Sequence, residues 1–207
     1  MPMAGLQIDK LAATPLTREP FEYVVVPGFL TPAALKDVVA GYPPLQAGSY
    51  PLEEVQPTPA LQTLIDDMDG PDFERAIEQK FDVHLAGKPK MYSLRGYCRA
   101  TDGKIHTDSK DKIITVLLYL NDGWQQPGGR LRLLKNGSNL NAFVAEVPPD
   151  NGTLLVFKRS ENSWHGHESF EGVRRSIQMN WMTSEGKRGF HKLRHQISAR
   201  FKKLIAA

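Results

Sequence analysis

His106-Thr107-Asp108 is the stretch on which the reading of this chain turns. A His and an Asp two residues apart share one face of a strand, so an imidazole nitrogen and a carboxylate oxygen can reach a single point in space. That is two-thirds of a 2-His-1-carboxylate facial triad, the arrangement that holds a non-heme Fe(II) and leaves open positions for chemistry. An H-x-D triplet is common by chance. Its meaning depends on a third ligand and on a fold that brings that ligand close.

Working outward from the triplet, the chain reads as strands. Residues 91–99, 112–120, 130–134, 142–147, 153–157 and 174–182 are β-rich runs. Turn signals separate them, among them Asn121-Asp122-Gly123, Pro127-Gly128-Gly129 and Asn136-Gly137. Upstream the pattern is helical. Thr31-Pro32 offers an N-cap followed by Pro at the first helical position, with the helix running to about Ala40. Residues 59–68 and 71–81 predict two more helices, and Phe73, Ala76, Ile77 and Phe81 fall at helical spacing. Residues 21–26 predict a strand, the first 20 residues a loose lead-in, and 41–58 a loop rich in Pro and Gly. Residues 190–204 predict a final helix with Phe190, Leu193, Ile197, Phe201 and Leu204 as its apolar stripe. Helices followed by many short strands give an α+β chain built on a β-sandwich or jelly roll.

At 207 residues the chain suits one domain with a good-sized core. The lone cysteine, Cys98, cannot form an intrachain disulfide, which predicts a reducing, cytoplasmic setting. No apolar run is long enough to span a membrane, and the first 11 residues lack the pattern of a signal peptide. The net charge of +3 is unevenly spread. Seven basic and no acidic residues follow Gly186, leaving 19 basic and 23 acidic residues in 1–186. A slightly acidic body with a basic tail argues against a nucleic-acid partner. The basic, amphipathic 190–204 segment suits an anionic membrane surface or an acidic partner, but the favoured reading is that its stripe packs on the sheet.

Ser163-Trp164-His165-Gly166-His167 supplies two candidates for the third ligand. The strand after it presents Arg174, Ser176, Gln178 and Asn180 on one face. Here the chain resembles the prolyl 4-hydroxylase-like Fe(II)/2-oxoglutarate oxygenases, which carry H-x-D, a distal His, and a basic residue nine or ten positions later. His165 lies nine positions before Arg174, whereas His167 lies eight before Arg175, so the spacing favours His165 with Arg174. Arg174-x-Ser176 is similar to an Arg-x-Ser pair of related oxygenases. Leu117-Leu118-Tyr119-Leu120-Asn121 is similar to a family strand whose Tyr anchors 2-oxoglutarate. Gly128-Gly129-Arg130-Leu131 and Gly152-Thr153-Leu154-Leu155-Val156-Phe157 match the next two family strands. The resemblance runs from about Lys90 to Met182.

The resemblance implies a double-stranded β-helix (jelly-roll) core with N-terminal supporting helices and a C-terminal helix, all in a single domain. It implies Fe(II) on His106, Asp108 and His165. The far carboxylate of 2-oxoglutarate falls to Arg174, with Tyr119 and Ser176. The implied activity is hydroxylation of a small-molecule or peptidyl substrate with O2, releasing succinate and CO2, and ascorbate is an optional further cofactor. Related halogenases leave the carboxylate position to chloride, so Asp108 favours hydroxylation. The alternative is a non-catalytic metal- or 2-oxoglutarate-binding sensor of the same fold. Zinc also accepts His/His/Asp ligands but gives no reason for Arg174. For the metal-proximal end of 2-oxoglutarate, or for substrate, Arg95, Tyr97 and Arg99 alternate onto one strand face. Substrate choice is expected from residues 41–58 and 92–103.

Overall fold

The computed structural model describes residues 5–183. The helix expected over 190–204 lies outside them. Along the chain come α1 (Ile8–Ala13), β1 (Tyr23–Val26), α2 (Pro32–Ala40), β2 (Tyr50–Pro51), α3 (Pro59–Asp69) and α4 (Pro71–Phe81). The strands β3 (Lys90–Cys98), β4 (Lys112–Tyr119), β5 (Leu131–Leu134), β6 (Phe143–Val147), β7 (Leu154–Lys158), β8 (His165–Gly166) and β9 (Gly172–Met182) follow. They form a six-stranded sheet in the order β1-β7-β4-β9-β3-β2 and a three-stranded sheet in the order β6-β5-β8. All of these named strand pairs are antiparallel. The two sheets make a jelly-roll-like core, with the helices on the outer face of the larger one.

Helices α2, α3 and α4 each begin with Pro, where the missing N–H costs nothing and the fixed φ suits the first turn. The Thr31 hydroxyl accepts from the Ala34 N–H at 3.4 Å, capping α2. The helices are held by what they bury. Leu61, Leu64, Ile65 and Met68 of α3 and Phe73, Ile77 and Phe81 of α4 join one apolar cluster with the sheet.

Strand periodicity divides the large sheet cleanly. On β4, Ile114, Val116 and Leu118 face the helices, as do Leu154 and Val156 on β7 and Ile177, Met179 and Trp181 on β9. The intervening residues face the small sheet. Tyr119, Leu155 and Phe157 pack there with Leu131, Leu133 and Val147 in a second cluster. Both faces of β4 and β7 are therefore covered and these two strands read as almost unbroken apolar runs, whereas β9 carries Arg174, Ser176, Gln178 and Asn180 on its other face. Phe73 is fully buried and packs between Phe29 (5.9 Å between centroids) and Trp181 (6.2 Å). Phe73→Ala is expected to cost about 3–5 kcal/mol. Urea denaturation monitored by circular dichroism checks this, and a loss below about 1 kcal/mol would contradict the packing described.

Three local expectations are corrected. The first 20 residues include α1, whose Leu11 is buried, and a bridge between Leu6 and Leu30. The 41–58 stretch holds β2, paired to Leu94 and Ser93 of β3, and a short 3-10 turn at Leu52–Glu54. The H-x-D triplet is not on a regular strand. His106 forms a single antiparallel bridge with His165, after which the chain turns into β4.

Candidate active site

The bridge between His106 and His165 is doubly bonded: each backbone N–H donates to the other's carbonyl at 3.0 Å. It extends the small sheet by one residue beyond β8 and brings the two rings to 4.3 Å. The chain then crosses toward the large sheet, and Asp108 lies at that crossing. One ligand atom each from His106, Asp108 and His165 lies within 4.8 Å of the others. Asp108 and His165 are buried, while His106 is exposed. Phe157 walls His165 with its ring centroid at 4.9 Å.

The donor chemistry is orderly. His106 Nδ1 lies 2.8 Å from the Lys104 carbonyl, and His165 Nδ1 lies 3.0 Å from the Ser163 carbonyl. A carbonyl only accepts, so each Nδ1 carries a proton, which makes Nε2 the nitrogen whose lone pair the neutral ring offers to a metal. Asp108 is held at both oxygens: Lys112 Nζ donates to Oδ1 at 2.7 Å and Thr115 Oγ1 to Oδ2 at 2.6 Å. Burial pushes the Asp108 carboxyl up. The Lys112 ammonium, His165 and the two hydrogen bonds together outweigh burial and hold it below the usual range. Two imidazole nitrogens and a carboxylate oxygen are a donor set that fits a divalent first-row metal.

The cluster opens on a cavity of about 330 Å3 that Arg174, Tyr119, Ser176 and Arg95 also line. Arg174 is buried; its Nε donates to the Gly129 carbonyl at 2.8 Å and its guanidinium stands 5.3 Å over the Tyr119 ring. Among the described residues Arg174 has no carboxylate partner. The Tyr119 hydroxyl is buried and, among the described residues, has no hydrogen-bond partner. A buried guanidinium beside an unpartnered phenol is a costly arrangement in an apolar interior. It fits a cavity made for a carboxylate.

Register explains the grouping: Tyr119 and Arg95 flank Ser176 on adjacent strands, forming one row across the sheet. Of the three residues expected on that face of β3, Arg95 lines the cavity, whereas Tyr97 and Arg99 are not among its lining residues. Arg99 is exposed and donates from a terminal guanidinium nitrogen to the Ala47 carbonyl at 3.3 Å.

His167 also lines the cavity, but it is not part of the cluster of ligand atoms. Its Nδ1 lies 2.8 Å from the Glu168 carbonyl and its Nε2 lies 3.9 Å from Cys98 Sγ. Its ring packs on Gly103, whose φ of +84° and lack of Cβ permit the approach. Sequence reasoning gave no role to Lys112 or Thr115. The usable signal was Thr115 itself, a hydroxyl inside the apolar run 113–120.

Burial pushes His165 down to about 4, and burial with Arg174 nearby pushes His167 down to about 4. Both values lie below the ordinary 6.5, so between pH 6.5 and 4 the unfolded chain binds more protons than the folded one. The stability these groups contribute is complete above pH 6.5 and is lost as the pH falls toward 4. Denaturation of the metal-free protein at pH 5 is expected to show a loss on the order of 2 kcal/mol per histidine relative to pH 7.5. Equal stability at the two values would contradict the neutral, buried assignment.

With this geometry in place, the comparisons decide the family. Residues 92–183 match the model of the 2OG-Fe(II) oxygenase superfamily. This part of the chain belongs to that superfamily. The matched segment holds His106, Asp108, His165 and Arg174 and is that of an enzyme whose cofactors are Fe(II), 2-oxoglutarate and O2. No curated protein matches the oxygenase by sequence.

Solved structures match in fold. A prolyl-4-hydroxylase from Pseudomonas putida has a TM-score of 0.59 at 21% identity, over 86% of this chain and 90% of that one. A prolyl hydroxylase from Trichoplax adhaerens, in complex with a peptide fragment of the hypoxia inducible factor oxygen degradation domain, has a TM-score of 0.53 at 16% identity, over 89% and 90%. A viral collagen prolyl hydroxylase from Paramecium Bursaria Chlorella virus-1, as its 2OG complex, has a TM-score of 0.51 at 14% identity, over 78% and 96%.

Proposed function

We propose that the oxygenase is an Fe(II)/2-oxoglutarate-dependent hydroxylase, a single domain built on a double-stranded β-helix. The carrying observation is that the His106, Asp108 and His165 cluster shares one cavity with Arg174 and the unpartnered Tyr119 hydroxyl. His106 and His165 would bind the metal through Nε2 and Asp108 through a carboxylate oxygen. When bound, Fe(II) with 2-oxoglutarate and O2 supplies the oxidising power for hydroxylation, with succinate and CO2 as co-products.

The chain's own residues orient the reactants. Arg174 pairs its guanidinium with the far carboxylate of 2-oxoglutarate, Tyr119 donates its hydroxyl to the same group, and Ser176 lies beside them. Arg95, the second guanidinium of the cavity, faces either the near end of 2-oxoglutarate or the substrate. The lone Cys98 supports a reducing, cytoplasmic setting.

The prolyl hydroxylase neighbours, one of them with a peptide, support a peptidyl or small-molecule substrate. The sensor reading has no observation in its favour, because the cavity keeps both the ligand set and the carboxylate-binding group. Succinate formation with Fe(II), 2-oxoglutarate and O2, measured over proline-containing peptides and free amino acids, tests the reading. Substrate-stimulated turnover with a gain of one oxygen atom in the substrate supports it. Metal and 2-oxoglutarate binding with no succinate under any condition would instead support the sensor.

A further inference from the structure

We propose that Thr115, oriented by Asn180 on the neighbouring strand, is a positioning residue that fixes the Asp108 carboxylate so that the metal site is built before the metal arrives. This rests on the metal assignment given above.

Thr115 and Asn180 are cross-strand partners in the register of β4 and β9. They are 1% and 0% exposed, so water cannot replace what they lose. Thr115 Oγ1 lies 2.6 Å from Asp108 Oδ2 and 3.0 Å from the Asn180 amide oxygen. A hydroxyl carries one proton, and the nearer, charged carboxylate takes it. Two oxygens would then face each other across the second contact. The Asn180 Nδ2 is meanwhile buried with no partner among the described residues.

Turning the amide about its Cβ–Cγ bond removes the oxygen–oxygen contact and gives Nδ2 an acceptor; the Gln178 amide, whose Nε2 lies 3.4 Å from the Asn180 oxygen, turns with it. Nδ2 then donates to Thr115 Oγ1, which donates in turn to Asp108 Oδ2. The chain of bonds runs in one direction, from the core of the large sheet to the metal ligand. Lys112 holds the other carboxylate oxygen at 2.7 Å, so neither oxygen is free to swing. A carboxylate pinned in this way presents its remaining lone pairs along fixed directions, as outer-shell partners do for metal ligands.

The test is Mn(II) affinity of the full chain by electron paramagnetic resonance of the free ion, alongside thermal melting of the metal-free protein. Thr115→Val keeps the shape and removes the hydroxyl, and is expected to weaken Mn(II) binding about tenfold or more. Thr115→Ser restores the hydroxyl and is expected to bind within about threefold of the parent, short of that tenfold loss. Thr115→Ala is the second probe should the valine variant fold poorly, with the same expected loss. Parent-like affinity in a folded Thr115→Val or Thr115→Ala variant would overturn the proposal. So would a serine variant as weak as the valine one, since the loss would then come from packing. If the parent binds no Mn(II), the metal assignment fails and the positioning role falls with it.

Discussion

Asp108→Ala abolishes both metal binding and 2-oxoglutarate-dependent oxygen consumption: this is the largest effect expected of any substitution. Asp108 is the only carboxylate in the cluster of ligand atoms and supplies its negative charge. Without it, two imidazoles remain, and the Lys112 ammonium loses the carboxylate it pairs with at 2.7 Å. That cation is then unpaired in a buried position, with its side chain 11% exposed. Repulsion from it adds to the loss of the ligand. The effect should exceed the roughly 10–100-fold cost of losing an outer-shell partner. Oxygen-electrode traces with Fe(II) and 2-oxoglutarate, and Mn(II) titration of the same variant, measure both consequences. Retained metal affinity within tenfold of the parent would remove Asp108 from the ligand set.

Arg174→Ala should separate the two halves of the site. The guanidinium stands buried over Tyr119 and, among the described residues, has no carboxylate beside it. Removing one partner of a buried, hydrogen-bonded charge pair costs about 2–5 kcal/mol. That corresponds to roughly 30-fold to several thousand-fold in Kd for 2-oxoglutarate. Metal affinity should be unchanged, because Arg174 touches none of the three ligands. Arg174→Lys keeps the charge and loses the planar fork, so its Kd should fall between the two. Calorimetric titration of 2-oxoglutarate into the Mn(II)-loaded proteins gives the comparison. Equal affinity in parent and alanine variant would mean that Arg174 serves only the Gly129 carbonyl.

How legible this was in the sequence depends on how local each signal is. Pro32, Pro59 and Pro71 mark three helix starts by a backbone rule that needs no tertiary context. The alternation along β9 placed Arg174, Ser176, Gln178 and Asn180 on one face, and three of them line the cavity. The spacing to Arg174 favoured His165 over His167, and the structure groups His165 with His106 and Asp108.

What escaped was short or non-local. Helix α1 has six residues and a single buried one, too few for a periodic pattern. Strand β2 has two residues and exists only through its pairing with β3. His106 and Asp108 were expected to share a strand face, yet their grouping comes from one bridge and a crossing between sheets. The work of Thr115 on Asp108 depends on the register of residue 115 against residue 180, which no local pattern encodes.

The central claim is that His106, Asp108, His165 and Arg174 form one site for Fe(II) and 2-oxoglutarate. Anaerobic calorimetry of 2-oxoglutarate binding, with and without Fe(II), tests it most directly. The account expects tight binding by the parent only when Fe(II) is present, none detectable in Asp108→Ala, and a weakened but metal-dependent isotherm in Arg174→Ala. Fe(II)-independent binding by the parent, or an Asp108→Ala isotherm matching that of the parent, would contradict it.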